Sequence, residues 1–222
     1  MFIPTTSIAQ VQAAGIDGWA DDSGSVWTYA STSPDTFTTA GDRTAVFSKG
    51  TRIKMINTTL KYFVVASSSF GAGTTTVTVT GGTDYSLAAV AISANSYSYA
   101  ANPQGYPGYF NYAPTFTGFS ADPAVGDGSS RFAVNGRTCI WEHNYNTAGT
   151  SNATGFTVTL PIASASYFRS WLLVLDNSAA RAALGMISIN STTVAGLFTD
   201  GTGAAWTGSG TKNGRFVLVY QV

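Results

Sequence analysis

Residues 130–145, SRFAVNGRTCIWEHNY, contain the clearest hairpin signal in the chain. The pair Asn135-Gly136 has the residues that a two-residue type I′ turn requires, because both of its central positions need positive φ. Such a turn pairs Val134 with Arg137 across the two strands. The sequence therefore predicts two antiparallel strands that meet at residues 135–136.

The same register decides which side chains of this hairpin share a face. It pairs Phe132 with Cys139, and side chains two residues apart on a strand lie on the same side of the sheet. The residues predicted to share one face are Phe132, Cys139, Trp141, His143 and Tyr145.

Outside the hairpin, alternation with a period of two is repeated along the chain. Residues 74–80 place Val77 and Val79 on one face and threonines on the other. Strands are predicted at 27–31, 43–47, 52–57, 61–69, 74–80, 93–100, 156–160, 171–176, 184–189 and 214–222. Helix is predicted only at 7–14 and 84–91, where apolar residues recur three apart. The sequence therefore predicts an all-β protein.

The charge content is low and balanced. Charged residues make up 10% of the 222 residues, with eleven Lys+Arg against eleven Asp+Glu, whereas ordinary soluble domains have roughly 25%. A chain with zero formal net charge has no overall field that would attract nucleic acid or an anionic membrane. We therefore expect neither nucleic-acid binding nor membrane insertion.

The sequence shows neither a targeting signal nor a cysteine pattern that would indicate a function. We expect no spanning helix, because no run approaches roughly 18 apolar residues, and no signal peptide, because residues 1–10 lack a basic start and an apolar run. The single cysteine, Cys139, forms no disulfide within the chain and no cysteine-based zinc site. We expect stability to come from packing and assembly.

A proline- and glycine-rich stretch between residues 101 and 123 separates two β regions. It is also rich in aromatic residues, which flexible linkers lack, so we expect it to pack between two domains. The predicted division is a leading docking segment at 1–16, a first domain at 17–105, a connector at 106–114 and a second domain at 115–222.

Catalytic groupings are weak. The sole histidine, His143, is four residues from Cys139 on one strand face, which separates their backbones by about 13 Å, too far for a nucleophile–base pair. The structural alternative is a packed cysteine and a histidine near the strand end. The adjacent carboxylates Asp21 and Asp22 suit a turn better than a glycosidase pair or a calcium loop.

Cofactor motifs are incomplete as well. The runs Gly71-Ala72-Gly73 and Gly201-Thr202-Gly203 lack both the third glycine of a dinucleotide fingerprint and the lysine of a P-loop. We expect no cofactor, no metal site and no enzymatic activity.

Aromatic residues are more numerous than the candidate catalytic residues. Flat rings with neutral neighbours suit carbohydrate faces and protein partners. Core packing is the alternative interpretation for each ring. The candidates outside the connector are Trp19, Trp27, Tyr29, Tyr97, Tyr99 and Trp206.

The last predicted strand is apolar on both faces, with valines at 217 and 219 on one of them. A strand of this kind is central in a sandwich or is covered by a neighbouring chain. The residues of its other face are candidates for an oligomer interface: Phe216, Leu218, Tyr220 and Val222.

Several short runs delimit the first domain. They are 17–19 (DGW), 27–31 (WTYAS), 50–54 (GTRIK), 61–63 (KYF), 81–87 (GGTDYSL) and 102–107 (NPQGYP). Together with the hinge-like run 114–119 (PTFTGF), this pattern resembles a family of tailed-bacteriophage virion proteins.

The resemblance implies a small β-barrel domain followed by a jelly-roll-like β-sandwich, assembled as a homotrimer. It implies a non-enzymatic fibre, spike or capsid decoration protein on the virion surface, with other capsid or tail proteins as partners and a host-surface glycan as a further one. No chemical role of an individual residue follows from it. The alternatives are a carbohydrate-binding module or lectin and, below them, a glycan depolymerase.

Overall fold

The computed structural model describes residues 17–122, 129–144, 149–153, 155–177, 179–187, 192–198 and 207–222. Every strand pairing in these ranges is antiparallel and none of them contains a helix, which confirms the all-β prediction. The chain divides into two compact units, Met1–Gly108 and Tyr109–Val222. The division falls inside the predicted connector.

The first unit contains a seven-stranded sheet with the order β1-β7-β4-β5-β6-β3-β2. Its strands are β1 (Ala20–Asp21), β2 (Trp27–Thr32), β3 (Asp35–Ala40), β4 (Arg52–Asn57), β5 (Thr59–Gly71), β6 (Thr74–Thr80) and β7 (Ser93–Ser98). Within residues 17–108 no ladder joins β1 to β2, so backbone pairing leaves the sheet open. Strand pairing therefore does not close this sheet into the predicted barrel.

Four of the ten buried residues in the described core cluster of this unit are aromatic. Trp27 and Phe37 stack with their centroids 4.5 Å apart, and the Phe47 ring meets both of them edge-on. Edge-to-face and offset stacking are the favoured geometries for aromatic pairs. Aliphatic side chains from β4, β5 and β6 complete the cluster.

Two sequence predictions in this unit are wrong. Residues 43–47 form a turn in which the Val46 and Phe47 amides donate to the Arg43 carbonyl. Residues 84–91 form a loop and not a helix. Two of the loop amides, those of residues 87 and 88, donate to the side chains of Asp35 and Asn57. These distant side chains replace the carbonyls that a helix would supply.

The described residues of the second unit form one curled antiparallel sheet of half-barrel shape. Its strands are β8 (Phe110–Asn111), β9 (Phe116–Thr117), β10 (Phe119–Ala121), β11 (Ser129–Asn135), β12 (Thr138–Asn144), β13 (Gly149–Ser151), β14 (Phe156–Thr159), β15 (Phe168–Asp176), β16 (Ala179–Ile187), β17 (Thr193–Phe198) and β18 (Thr211–Gln221).

The strand order in this sheet is β8-β11-β12-β18-β15-β16-β17-β14-β9, and β13 and β10 branch from β18. Backbone pairing thus joins the strands continuously, whereas the predicted jelly-roll-like sandwich has two separate sheets. The last strand acts as the junction. Its residues 215–221 pair with β12, and its residues 212–215 pair with β15.

The β11–β12 hairpin is present, with the loop one residue later than predicted. Asn135 pairs with Thr138, so Gly136 and Arg137 form the loop. Gly136 has φ of 59° and Arg137 has no positive φ, which is the pattern of a type II′ turn. Phe132 pairs with Trp141 instead of with residue 139. The shift is two residues across the ladder, so Phe132, Cys139, Trp141 and His143 keep the predicted shared face. Tyr145, the fifth residue predicted for this face, lies outside the described residues.

Candidate functional site

The two faces of β18 lie in opposite environments. Its predicted interface residues are buried within the chain, with exposed fractions of 7% for Phe216, 0% for Leu218, 2% for Tyr220 and 0% for Val222. A partner could not reach them without opening the core. The other face of the strand is exposed, with Val217 at 56% and Val219 at 44%. The exposed apolar face of β18 is therefore its valine face.

The valine face continues onto β12. Val219 pairs with the half-buried Ile140, and Val217 pairs with Glu142. The Glu142 carboxylate accepts a 2.8 Å hydrogen bond from Arg131 Nε and a 3.3 Å bond from the hydroxyl of Tyr109. The arginine also stacks over that tyrosine ring at 4.5 Å. The result is an apolar strip with a neutralised, ion-paired border.

A second exposed row follows the outward face of β15. Trp171 is 66% exposed and Leu173 is 54% exposed, and Arg169 lies on the same face because strand side chains alternate. Tyr167, two residues before Arg169, is 76% exposed. Leu173 pairs with Arg215 of β18, whose side chain is also exposed. Sequence reasoning did not single out this row.

The cysteine and histidine of β12 belong to the core. Cys139 is fully buried opposite Tyr220, and burial raises the pKa of its thiol to about 12. Burial lowers the pKa of His143 to about 3. The imidazole ring stacks on Phe216 at 4.8 Å and lies 5.6 Å from Trp141. A thiol with so high a pKa is a poor nucleophile at neutral pH.

The adjacent carboxylates of the first unit stabilise a turn. Asp21 accepts hydrogen bonds from the amide and hydroxyl of Ser23, as in an Asx-turn. Asp22 forms a two-point ion pair with Arg43, at 2.7 and 2.9 Å, and accepts a 2.8 Å bond from Trp27 Nε1. Both carboxylate oxygens of Asp22 are thus held in a structural network.

A buried ion pair anchors the start of β18. Lys212 is fully buried, and its Nζ lies 2.9 Å from the Asp176 carboxylate. It also donates to the Thr207 hydroxyl and the Ser209 carbonyl. Burial raises the pKa of Asp176, but the hydrogen bonds from Lys212 and Thr207 outweigh that effect, and the net pKa is below its usual value. These contacts are typical of a structural pair.

The aromatic residues that the sequence singled out are divided between core and surface. Trp19 and Trp27 are buried, whereas Tyr29 and Tyr97 are half-buried and pack against the core cluster. Tyr99 is the exposed ring of this set, and Trp206 lies outside the described residues. Core packing, the alternative interpretation, therefore holds for the two tryptophans that the structure describes.

A shallow groove lies beside the edge strand β2. Its volume is about 420 Å³, and it is lined by residues 26–29 of the strand region and by residues 89–92 of the neighbouring loop. The lining is mostly aliphatic, with Val26 and Val90 exposed. The groove carries no charged group and offers no chemistry of its own.

Within the described ranges no three metal-ligating side chains come together. In the same ranges there is no helix of the length and hydropathy needed to cross a membrane. Comparisons of the chain with models of known families, with curated proteins and with solved structures gave no match.

Proposed function

We propose that this chain is a non-enzymatic structural protein of a tailed-phage virion. It forms a homotrimer and serves as a peripheral fibre, a spike or a capsid decoration protein on the particle surface. Other capsid or tail proteins are its fixed partners. The proposal includes the finer fold of that class: a small barrel for the first domain, with an open seam between β1 and β2, and a jelly-roll-like arrangement for the second, with its strands joined in one curled sheet.

The observation that carries the assembly part is the exposed valine face of β18. Val217 and Val219 lie side by side on a strand whose other face is already buried in the core. Exposed apolar surface of this kind, next to an ion-paired border, is typical of contact surfaces between proteins. A chain with 10% charged residues and zero net charge also has little repulsion against its own copies.

The virion part is supported by the sequence pattern of the first domain. Its runs at 17–19, 27–31 and 81–87 lie in and around the strands and turns of the seven-stranded sheet. The number three comes from the same resemblance. A lectin is the second candidate function, and the exposed rings of Tyr167 and Trp171 favour it.

Electron microscopy of purified phage particles tests the virion assignment. The protein is tagged after Val222 and the particles are labelled with gold against the tag. We expect label at regular positions on the capsid or the tail, and its place separates a head fibre from a tail fibre. Particles that lack both the label and the protein in their mass-spectrometric composition would refute the assignment.

The leading segment 1–16 is proposed to dock the trimer onto the particle. Its deletion is expected to leave a trimer in solution that no longer enters particles. Incorporation at the level of the intact chain would rule out this docking role.

A further inference from the structure

Two exposed rings, one just before β15 and one on its outward face, lie on either side of an arginine in the sequence. Tyr167 and Trp171 are among the most exposed large side chains of the described residues, at 76% and 66%. Rings that belong to the core would be buried. A single exposed ring, in contrast, is common on protein surfaces. Two such rings on either side of Arg169 in the sequence, with Arg169 and Trp171 on one face of β15, form a repeated chemical pattern.

The spacing of this row follows from strand geometry. Residues two apart on one face lie about 6.6–6.8 Å from each other. The Cα atoms of Arg169 and Trp171 are therefore about 6.6–6.8 Å apart, and Tyr167 lies two residues before the arginine, one residue before β15 begins. A ligand that follows this row must be extended, and it must present flat faces at both ends and an acceptor near the centre.

The charge of the row selects an anionic ligand. Arg169 lies on β15, and Arg215 pairs with Leu173 at the next position along the sheet. Among the described residues, no carboxylate occupies the outward register positions of β15 or those directly beside it on β16 and β18. Arginine binds carboxylates through two parallel hydrogen bonds.

A second copy of the chain is a poor occupant of this row. A symmetric contact there would bring Arg169 and Arg215 of every copy together without an acid from the row, and opposing like charges cost free energy. The exposed valines lie further along the same outward face of β18, at 217 and 219, where Glu142 of β12 and not an arginine is opposite Val217. The two ends of this outward face therefore suit different partners.

The density of charge distinguishes a polysaccharide from a nucleic acid. Nucleic acids carry a phosphate at every residue, and their binding depends on many Lys and Arg contacts. This row has two arginines on a chain without net charge. Sugar rings with scattered carboxylates match two flat platforms and a sparse positive charge better.

We propose that the row Tyr167–Arg169–Trp171, extended by Arg215, binds an acidic polysaccharide. Sugar rings stack on Tyr167 and Trp171, and a carboxylate of the polymer pairs with Arg169. The binding does not depend on the virion assignment, because it needs only the folded second unit.

Affinity electrophoresis in gels that contain a defined polymer tests the proposal on the full chain. The probes are polygalacturonate, alginate and hyaluronate. The controls are dextran, fully methyl-esterified pectin, which has the galacturonate backbone without its charge, and oligo(dT). We expect retardation by at least one acidic polysaccharide and none by dextran or the methyl ester.

The variants Trp171→Ala and Arg169→Gln should each weaken retention about tenfold, through the loss of a stacking platform and of a charged hydrogen bond. Arg137→Gln at the tip of the β11–β12 hairpin, also exposed, is the matched control and should bind as wild type. Unchanged thermal unfolding of the variants shows that they are folded.

The proposal is overturned if none of the three acidic polymers retards the protein, or if the methyl ester binds as well as the acid. Tighter binding of oligo(dT) would identify a nucleic-acid surface instead. A changed oligomeric mass of the Trp171 variant with unaltered retention would show that a second copy covers the row. None of these outcomes bears on the particle-labelling experiment, so the two proposals fail separately.

Discussion

Strands β6 and β18 each bury one apolar face, but their other faces differ in chemistry. Both bury alternate apolar residues, Val77 and Val79 in β6 and Leu218 and Tyr220 in β18. The second face of β6 carries threonines, whereas the second face of β18 carries valines. Threonine and valine have nearly the same shape and differ by a hydroxyl group.

This difference indicates which of the two faces is stable in contact with solvent. A threonine face can hydrogen-bond to solvent or to neighbours, so it needs no further cover. A valine face loses free energy in water at roughly 25 cal/mol per Å² of exposed apolar area. In the proposed assembly, covering the valine face of the second unit with another chain would therefore gain free energy, whereas the threonine face of β6 has no such need.

The largest expected loss of stability is at the buried Lys212, where the inward face of β18 begins. Lys212→Met leaves the Asp176 carboxylate without its cation, which costs about 3–5 kcal/mol for a buried pair. Urea unfolding monitored by tryptophan fluorescence measures the loss. The double variant Lys212→Met with Asp176→Leu should recover most of it, and a single variant within about 1 kcal/mol of wild type would show that the pair is not buried in solution.

The next effect separates the two faces of β18 directly. Leu218→Ala removes a fully buried side chain and should lower the free energy of unfolding by about 2–5 kcal/mol. Denaturant unfolding gives the value. The neighbouring substitution Val219→Ala, on the exposed face, serves as the control and should lose far less. Equal losses at 218 and 219 would contradict the assignment of the faces.

The core beside β18 should also respond to pH. His143, opposite Phe216, has a pKa of about 3 when folded and about 6.5 when unfolded. Between these values the unfolded chain binds more protons, so this contribution to stability is complete above pH 6.5 and is lost as the pH falls toward 3.

The variant His143→Phe isolates this effect. Relative to the variant, the wild type should lose about 1.4 kcal/mol per pH unit below pH 6.5. Urea unfolding of both proteins at pH 7, 6, 5 and 4 provides the comparison. Parallel curves would mean that the imidazole is reached by water in the folded chain.

The sequence predicted which side chains share a face of a strand better than it predicted which residues pair across neighbouring strands. In the β11–β12 hairpin the loop is one residue later than expected, yet the shared face is correct because a two-residue shift preserves alternation. Residues 35–40 were not predicted as a strand, because threonines fill this segment and Phe37 is its only large apolar side chain. The loop at 84–91 depends on Asn57 and Asp35, which local periodicity does not include.

The candidate site shows why the rest could not be predicted. In β18 both faces are apolar, so alternation identifies two faces without telling which one is buried. The same is true of β15, where bulky residues occupy both parities from Phe168 to Leu175. Only the arrangement of neighbouring strands decides that Trp171 and Val217 point outward.

The smallest effect on stability is expected at the valine face. The double substitution Val217→Thr and Val219→Thr gives β18 the outward chemistry of β6, and each exposed position should change the free energy of unfolding by no more than about 0.5 kcal/mol. Its effect on assembly should be large, because the apolar contact is replaced by hydroxyl groups. The reverse exchange, Thr76→Val with Thr78→Val on β6, should leave assembly unchanged.

Size-exclusion chromatography with light scattering at micromolar concentration tests the central claim most directly. The wild type should have three times the 23.1 kDa mass of one chain, and the folded Val217→Thr, Val219→Thr variant should shift to the mass of a monomer. A wild-type chain that elutes as a monomer, or a variant that remains a trimer, would contradict the assignment of the valine face as the assembly surface.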